Sequence, residues 1–484
     1  MRYKIILFLL FLIIFIKSVA FDSTAYNGSQ HTGKDSIPNP VEVLCKYLQF
    51  ASYSGKEYEA GHYLIDVCQT NGLNVTVFTD TGGSINFAAS LYPLSLKKPN
   101  IVFLHHIDVV PEGNLSKWKY PPFSGAIAEG SIWGRGALDI KELGIMHLFA
   151  LLKFKELAKN KDLPYNFTLL AVSGEETGGY IGSKIIVSHF IEQLNPVLVL
   201  GEGGSGIDFL LSASKEKPLF GISIAEKTSL CLKLHLDMET LAHGAVTPNE
   251  YPNQIMIEAL SRIDKRIPKI KFNKASRRMF NEVGKIEGGF EGFVLQNMNW
   301  VIFKPFVIKS FVKDPNLHSI SSNTITITSI KSAQGADNQI AQSIEATLDC
   351  RLLSSTEDKI LIKEIQELLN DSRIKIEIID KGADSYLSVP EYFYEVMEKA
   401  IKTSYKKSKV APMFLPSSSD NNYFRSKGIP VYGIIPIVLN KQQLNSIHNY
   451  NEHIQISNFL KGIDVFELFI EALIANPLEN KKVK

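Results

Sequence analysis

Three stretches limit what this chain can become more than any other feature: NIVFLHHIDVVP (residues 100–111), YNFTLLAVSGEE (165–176) and NPVLVLGEGG (195–204). Each is a short, nearly continuous apolar run that ends in polar and turn-forming residues, the pattern of a strand buried on both faces. Between them, IKELGIMHLFALLKFKELAKN (140–160) and IGSKIIVSHFIEQL (181–194) repeat their apolar residues at helical spacing, as VEVLCKYLQFAS does just before. The alternation predicts an α/β fold, a mostly parallel sheet with helices on both faces.

The pattern changes near residue 227. SLCLKLHLDM (229–238) alternates like a half-exposed strand, PNQIMIEALSRID (252–264) reads as a helix, SIEATLDCRLL (343–353) as a strand, EDKILIKEIQELLN (357–370) as a helix and IKIEIID (374–380) as a strand. This predicts an α+β domain, one antiparallel sheet covered by helices, inserted at 227–382 between a first α/β part at 38–226 and a second at 383–477. The second part holds EYFYEVMEKAIKTSY, the strand-like GIPVYGIIPI and a last helix near 456–475. A tail, 478–484, closes the chain.

The first residues, MRYKIILFLLFLIIFIKSVAF, have a basic start, an apolar run from Ile5 to Ile16 and small residues at Ser18 and Ala20. They predict a signal peptide at 1–20 cut near Ala20, a polar leader at 21–37 and an exported protein, periplasmic or secreted; an uncleaved start would instead anchor it to a membrane. Lys and Arg number 52 against 50 Asp and Glu, so no overall field argues for nucleic acid. The four cysteines are scattered singly and do not read as a metal cluster.

In open α/β sheets ligands bind beyond the carboxyl ends of the strands. There the first run ends in His106, Ile107 and Asp108, the second in Glu175 and Glu176, and the third in Glu202. Adjacent carboxylates repel unless a cation or a shared proton lies between them, and histidine with carboxylates is a donor set that divalent ions accept. The spacing of GEGGSG also fits a dinucleotide loop, with Glu226 placed for the ribose, yet Glu202 would repel the phosphate. The metal reading uses more residues.

HHIDVVP, WKYPPFSGAIAEGSIWGRGALDIK, SGEETGG, GEGG, AHGAVTP and HNYNEHI together resemble the M20 metallopeptidase family, in its carboxypeptidase S and N-acyl-amino-acid hydrolase branch, from about residue 40 to 475. The resemblance implies a zinc-peptidase catalytic domain with an inserted lid or dimerisation domain, and two Zn²⁺ ions, other divalent metals being possible. One would take His106, Asp139 and Glu202, the other Asp139, Glu176 and His448. It implies Glu175 as general base and Asp108 as the residue holding the His106 ring. His243 would reach a partner subunit's site in a homodimer and stabilise an oxyanion; Asn338 and Arg351 would touch substrate. His105 is the nearest rival to His106.

The chain departs from the family's usual text at Gly174, Gly201 and Glu142, none of them a direct ligand. In SSSDNNYF, Asn422 stands where an arginine is usual, and Arg425, three residues on, is the candidate to replace it. The reading is an amide hydrolase acting on small peptides in carboxypeptidase or dipeptidase fashion, or on N-acyl amino acids at the same site. A metal-binding relative without turnover and a nucleotide-dependent oxidoreductase are the rivals of other classes.

Overall fold

The computed structural model describes residues 37–207, 217–239, 243–333, 336–353 and 357–478; the signal-peptide and leader expectations up to residue 36, and the tail from 479, lie outside the described residues. Asn39 opens helix α1 (Pro40–Leu48) by accepting the Val41 N–H at 2.9 Å, with Pro40 in the first turn. Helix α2 (Tyr58–Thr70) leads into strands β1 (Asn74–Asp80) and β2 (Ile85–Ser90), then the apolar run of β3 (Asn100–His106). Short strands β4 (Ala126–Ala128) and β5 (Ser131–Trp133) precede the long helix α3 (Lys141–Asn160), and β6 (Asn166–Val172), β7 (Pro196–Ile207) and β8 (Leu219–Glu226) follow. The 181–194 segment is a helix broken by a wider turn at Ile186–Phe190.

Strand β9 (Thr228–Asp237) starts a separate antiparallel sheet, followed by helices α4 (Pro252–Asp264), α5 (Lys274–Glu287), α6 (Gly289–Gln296) and α7 (Lys304–Lys313). Strands β10 (Thr324–Ser332) and β11 (Ser343–Leu352), helix α8 (Asp358–Leu369) and strand β12 (Lys375–Lys381) complete it, in the order β10-β11-β9-β12. β9 and β11 alternate buried and half-buried residues, and the buried face packs on α4 and α8 through Leu232, Leu348, Met256 and Ile365.

Helix α9 (Tyr392–Ser404), β13 (Lys409–Leu415), the short α10 (Asn421–Arg425), β14 (Val431–Leu439), β15 (His453–Gln455) and α11 (Ile456–Ala475) return to the main sheet. Its order is β1-β2-β6-β3-β7-β14-β8-β13, with parallel pairing of β6, β3, β7 and β14 at the centre and of β8 with β13. The pairs β1–β2, β2–β6 and β14–β8 are antiparallel, so the sheet is mostly parallel. β3 and β6 are buried along their whole length, which is why they read as unbroken apolar runs. Each apolar side chain hidden there contributes about 1.5–3 kcal/mol.

The glycines of GEGGSG do not form a turn. β7 runs through them to Ile207, and β8 pairs back on it at Gly206–Phe220. A Cβ at Gly203 would lie 2.5–2.7 Å from the backbone of Gly433, so glycine lets β7 and β14 approach closely. A phosphate loop needs the chain to turn into a helix at that point, and here it stays extended. This removes the support for the oxidoreductase reading.

The apolar segment 289–312 divides between core and surface. Met298, Val307 and Phe311 join the main core with Met279 and Phe280 of α5, while Trp300, Val301, Ile302 and Phe306 stand exposed.

Candidate functional site

The parallel strands deliver their ends to one place. His106 is the last residue of β3, and strand alternation turns its ring opposite to that of His105, whose imidazole is buried against Gly144 of α3. The Nδ1 of His106 lies 2.8 Å from the backbone carbonyl of Asp108. A carbonyl only accepts, so Nδ1 carries a proton, which leaves Nε2 as the ring atom that could meet a cation. That Nε2 is 3.2 Å from Asp139 Oδ1 and 3.9 Å from Glu202 Oε2.

Asp139 ends the GRGALD segment just before α3, and its other oxygen, Oδ2, is 2.8 Å from His448 Nε2. His448 Nε2 in turn is 3.2 Å from Glu176 Oε1. The two oxygens of one carboxylate therefore face two different histidines. His448 has a φ of 56°, in the left-handed region that non-glycine residues adopt sparingly and that clusters at functional sites.

Glu175 and Glu176 lie on one short helical turn, Glu175–Thr177, preceded by the left-handed Gly174. Asp108 fixes that turn: its Oδ1 accepts the Glu175 N–H and its Oδ2 the Glu176 N–H, each at 3.1 Å, and Ser54 donates to Oδ2 at 2.6 Å. The Asp108 carboxylate is 3.6 Å from the His106 ring. Its carbonyl orients the imidazole while its side chain orients the glutamates.

Oxygen and nitrogen donors of His106, Glu175 and Glu202 lie within 4.8 Å of one another, as do those of His106, Asp139 and Glu176. The electrostatics show what such a cluster costs without a cation. Burial pushes Glu202 up to about 8 and Asp420 up to about 7, and burial with the nearby Glu202 holds Glu175 well above the ordinary carboxylate range. Burial opposes the protonation of His106, yet the Asp139 hydrogen bond and the surrounding carboxylates raise it, and hydrogen bonds to Asp139 and Glu176 push His448 up to about 10. Protons and imidazolium charge stand where a divalent cation would neutralise the same oxygens, so His106, Asp139, Glu176, Glu202 and His448 fit such an ion in chemistry and placement.

The remaining expected residues lie on the second sheet and its loops. His243 and Asn338 are exposed and meet each other: Nδ1 of His243 accepts the Ala245 N–H at 3.0 Å, and Nε2 is 2.9 Å from the Asn338 amide. Arg351 binds Asp349 of its own strand at 3.1 Å. None of these contacts reaches the carboxylate cluster. Arg425 does not replace the missing arginine, because its side chain is buried and donates to Glu226 Oε1 at 2.8 Å and to the carbonyls of Ser223 and Val431. Asn422 is buried too, and its amide donates to Lys227 O and Ser418 Oγ. Glu226 is the anchor of this network, with Asn421 linking it to the Glu202 carbonyl.

The sequence gives little sign of Glu452. It is wholly buried; Oε2 takes the Arg135 guanidinium at 2.7 Å and Oε1 accepts the N–H groups of Gly136 and Leu138. One carboxylate so ties the segment that presents Asp139 to the loop that presents His448. Glu452→Ala leaves Arg135 buried without its partner and two N–H groups without acceptors, and is expected to cost about 3–5 kcal/mol in urea unfolding. An unchanged midpoint would refute that account. His453, next in sequence, stacks on Trp133 with ring centroids 4.1 Å apart and is structural.

Known proteins resemble this chain in sequence and in fold. The chain is 25% identical over 374 residues to the probable carboxypeptidase S-like 2 of Dictyostelium discoideum, covering 76% of this chain and 70% of that protein. It is 25% identical over 377 residues to the mouse N-fatty-acyl-amino acid synthase/hydrolase PM20D1, covering 76% and 73%. Among solved structures, an M20 family metallo-carboxypeptidase from Sulfolobus solfataricus superposes with a TM-score of 0.66 at 20% identity, over 90% of this chain and 99% of that one, and human carnosine dipeptidase 1 with 0.63 at 17%, over 90% and 97%. The profile of peptidase family M20/M25/M40 matches residues 102–472, a span that runs from the strand carrying His106 to the helix beyond His448. With the carboxylates and histidines of the cluster inside that span, the chain belongs to peptidase family M20/M25/M40, a family of metal-dependent hydrolases.

Proposed function

We propose that this chain is an exported, dinuclear zinc hydrolase that cleaves an amide bond in small peptides, near a free carboxyl terminus. One observation carries the reading: Asp139 turns Oδ1 to His106 and Oδ2 to His448, the disposition of a carboxylate shared by two ions. His106, Asp139 and Glu202 would hold one, and Asp139, Glu176 and His448 the other. When bound, such a pair polarises the scissile carbonyl and lowers the pKa of water. Glu175 takes the proton of the attacking water and passes it to the leaving amine, and burial, which raises its proton affinity, favours its holding that proton between the two transfers. Asp108 keeps Glu175 in register through the backbone. His243, exposed and bonded to Asn338, is available to steady the developing oxyanion in a second copy.

A second reading puts N-acyl amino acids at the same site. It is supported by the mouse relative, which bears the name of an N-fatty-acyl-amino acid synthase/hydrolase and is as similar to this chain as the carboxypeptidase S-like protein is. A panel of dipeptides and N-acyl amino acids, assayed before and after chelation and after return of Zn²⁺, tests the reading. Hydrolysis is expected to disappear with the metal and come back with it; hydrolysis indifferent to chelation would sink it. Reloading is expected to weaken as pH falls through about 10 and further below about 8, since His448 and then Glu202 hold protons that the ion must displace.

A further inference from the structure

The residues 289–313 carry an apolar surface that the hydrolytic site does not use. Phe290, Phe293, Trp300, Val301, Ile302 and Phe306 are all exposed, Val301 at 89% and Phe306 at 73%. The rings form one cluster: Phe293 packs edge-on to Trp300 with centroids 5.6 Å apart, Phe303 stacks beside Trp300 at 6.1 Å and Phe290 stands edge-on to Phe303 at 6.4 Å, with Val301 and Ile302 following Trp300 in the chain. Meanwhile Met298, Val307 and Phe311 of the same segment are buried, so the helices are fastened from below and present the rest outward. A contiguous apolar face of this kind marks a partner surface.

Charge decides which partner. From Gly292 to Lys313 the sequence has three lysines, Lys304, Lys309 and Lys313, and no carboxylate. All three lysines are exposed, and Phe306, Lys309 and Lys313 share one helix face by their spacing of three and four. A second copy docked on this face would set lysine against lysine with Glu291 as the sole acid in the segment, and lysine is depleted in such interfaces. An anionic lipid surface meets both demands, taking the aromatic and aliphatic tips among its acyl chains and the ammonium groups at its headgroups. No helix among the described residues is long and apolar enough to cross a membrane, so the contact is with the surface.

We propose that helices α6 and α7 with the turn between them form a docking surface for the interface of an anionic phospholipid membrane. The inference does not depend on the hydrolytic reading. The test uses the full chain with vesicles of phosphatidylcholine, with and without phosphatidylserine, and with brominated acyl chains that quench tryptophan at short range. Quenching is expected on the anionic vesicles and is expected to vanish in Trp300→Phe, which separates it from Trp118, Trp133 and any contribution of the amino-terminal residues. The pair V301E/I302E, both at exposed positions, is expected to keep the parent's urea midpoint and to lower vesicle binding more than about tenfold. Replacing each lysine by glutamine is expected to weaken binding to the anionic vesicles about fivefold. An unquenched Trp300, or binding unaltered in V301E/I302E, overturns the proposal. Self-association that V301E/I302E abolishes, with Trp300 still unquenched, would assign the face to a second copy instead.

Discussion

Glu175→Gln is expected to keep its full complement of metal and to lose turnover by roughly 10²–10⁴-fold, the range that a positioned general base supplies. Glutamine has the size and hydrogen-bonding shape of glutamate but no affinity for a proton. The backbone N–H of residue 175 would still be held by Asp108, and the expected ligands would be untouched. Metal content by mass spectrometry and kcat on whichever amide proves to be a substrate settle the matter together. A variant that hydrolyses at the parental rate shows that the proton goes elsewhere; one that loses its metal shows that Glu175 is a ligand. The parent's own turnover separates an enzyme from a metal-binding relative without activity.

Asp139→Ala is expected to have an effect as large, by a different route. His106 and His448 have Asp139 as their shared partner, one on each oxygen, and alanine leaves two imidazoles facing Glu202 and Glu176 with nothing between them. Metal retained after gel filtration is expected to fall, and turnover to drop by more than about 10³-fold, the loss of several kcal/mol of electrostatic stabilisation. Near-ultraviolet circular dichroism should stay native, because Glu452 bonds to Gly136 and Leu138 rather than to Asp139. Asp139→Ala with undiminished metal and rate would mean that the two histidines do not serve one cluster.

The elements that sequence makes plain are those whose environment is uniform along the chain. β3 and β6 are buried on both faces, and β9 and β11 alternate strictly, so burial is written directly into residue type. Edge strand β1, NVTVFTD, is exposed or half-buried throughout and gives no comparable signal, and β4 and β5 are too short to show a period. Helices α6 and α7 escape because the apolar residues of their segment serve two purposes, some anchoring it and others facing outward. At the site, His106, Glu175, Glu176 and Glu202 are legible because they punctuate apolar runs. Glu452 is not, since its partner Arg135 lies 317 residues away and either residue alone looks like surface charge. Arg425 misleads for the same reason: its position fits a ligand grip, while its burial against Glu226 is a property of the assembled sheet.

The Glu176–His448 contact joins residues 272 positions apart, with the whole second sheet made in the interval. A ribosome that has already released the strands bearing the first histidine and the glutamates has still to make one donor of the proposed pair of ion sites. On the proposed reading the site of the second ion stays incomplete until a stretch far downstream has folded back onto the glutamate turn, so its assembly is a late, long-range event.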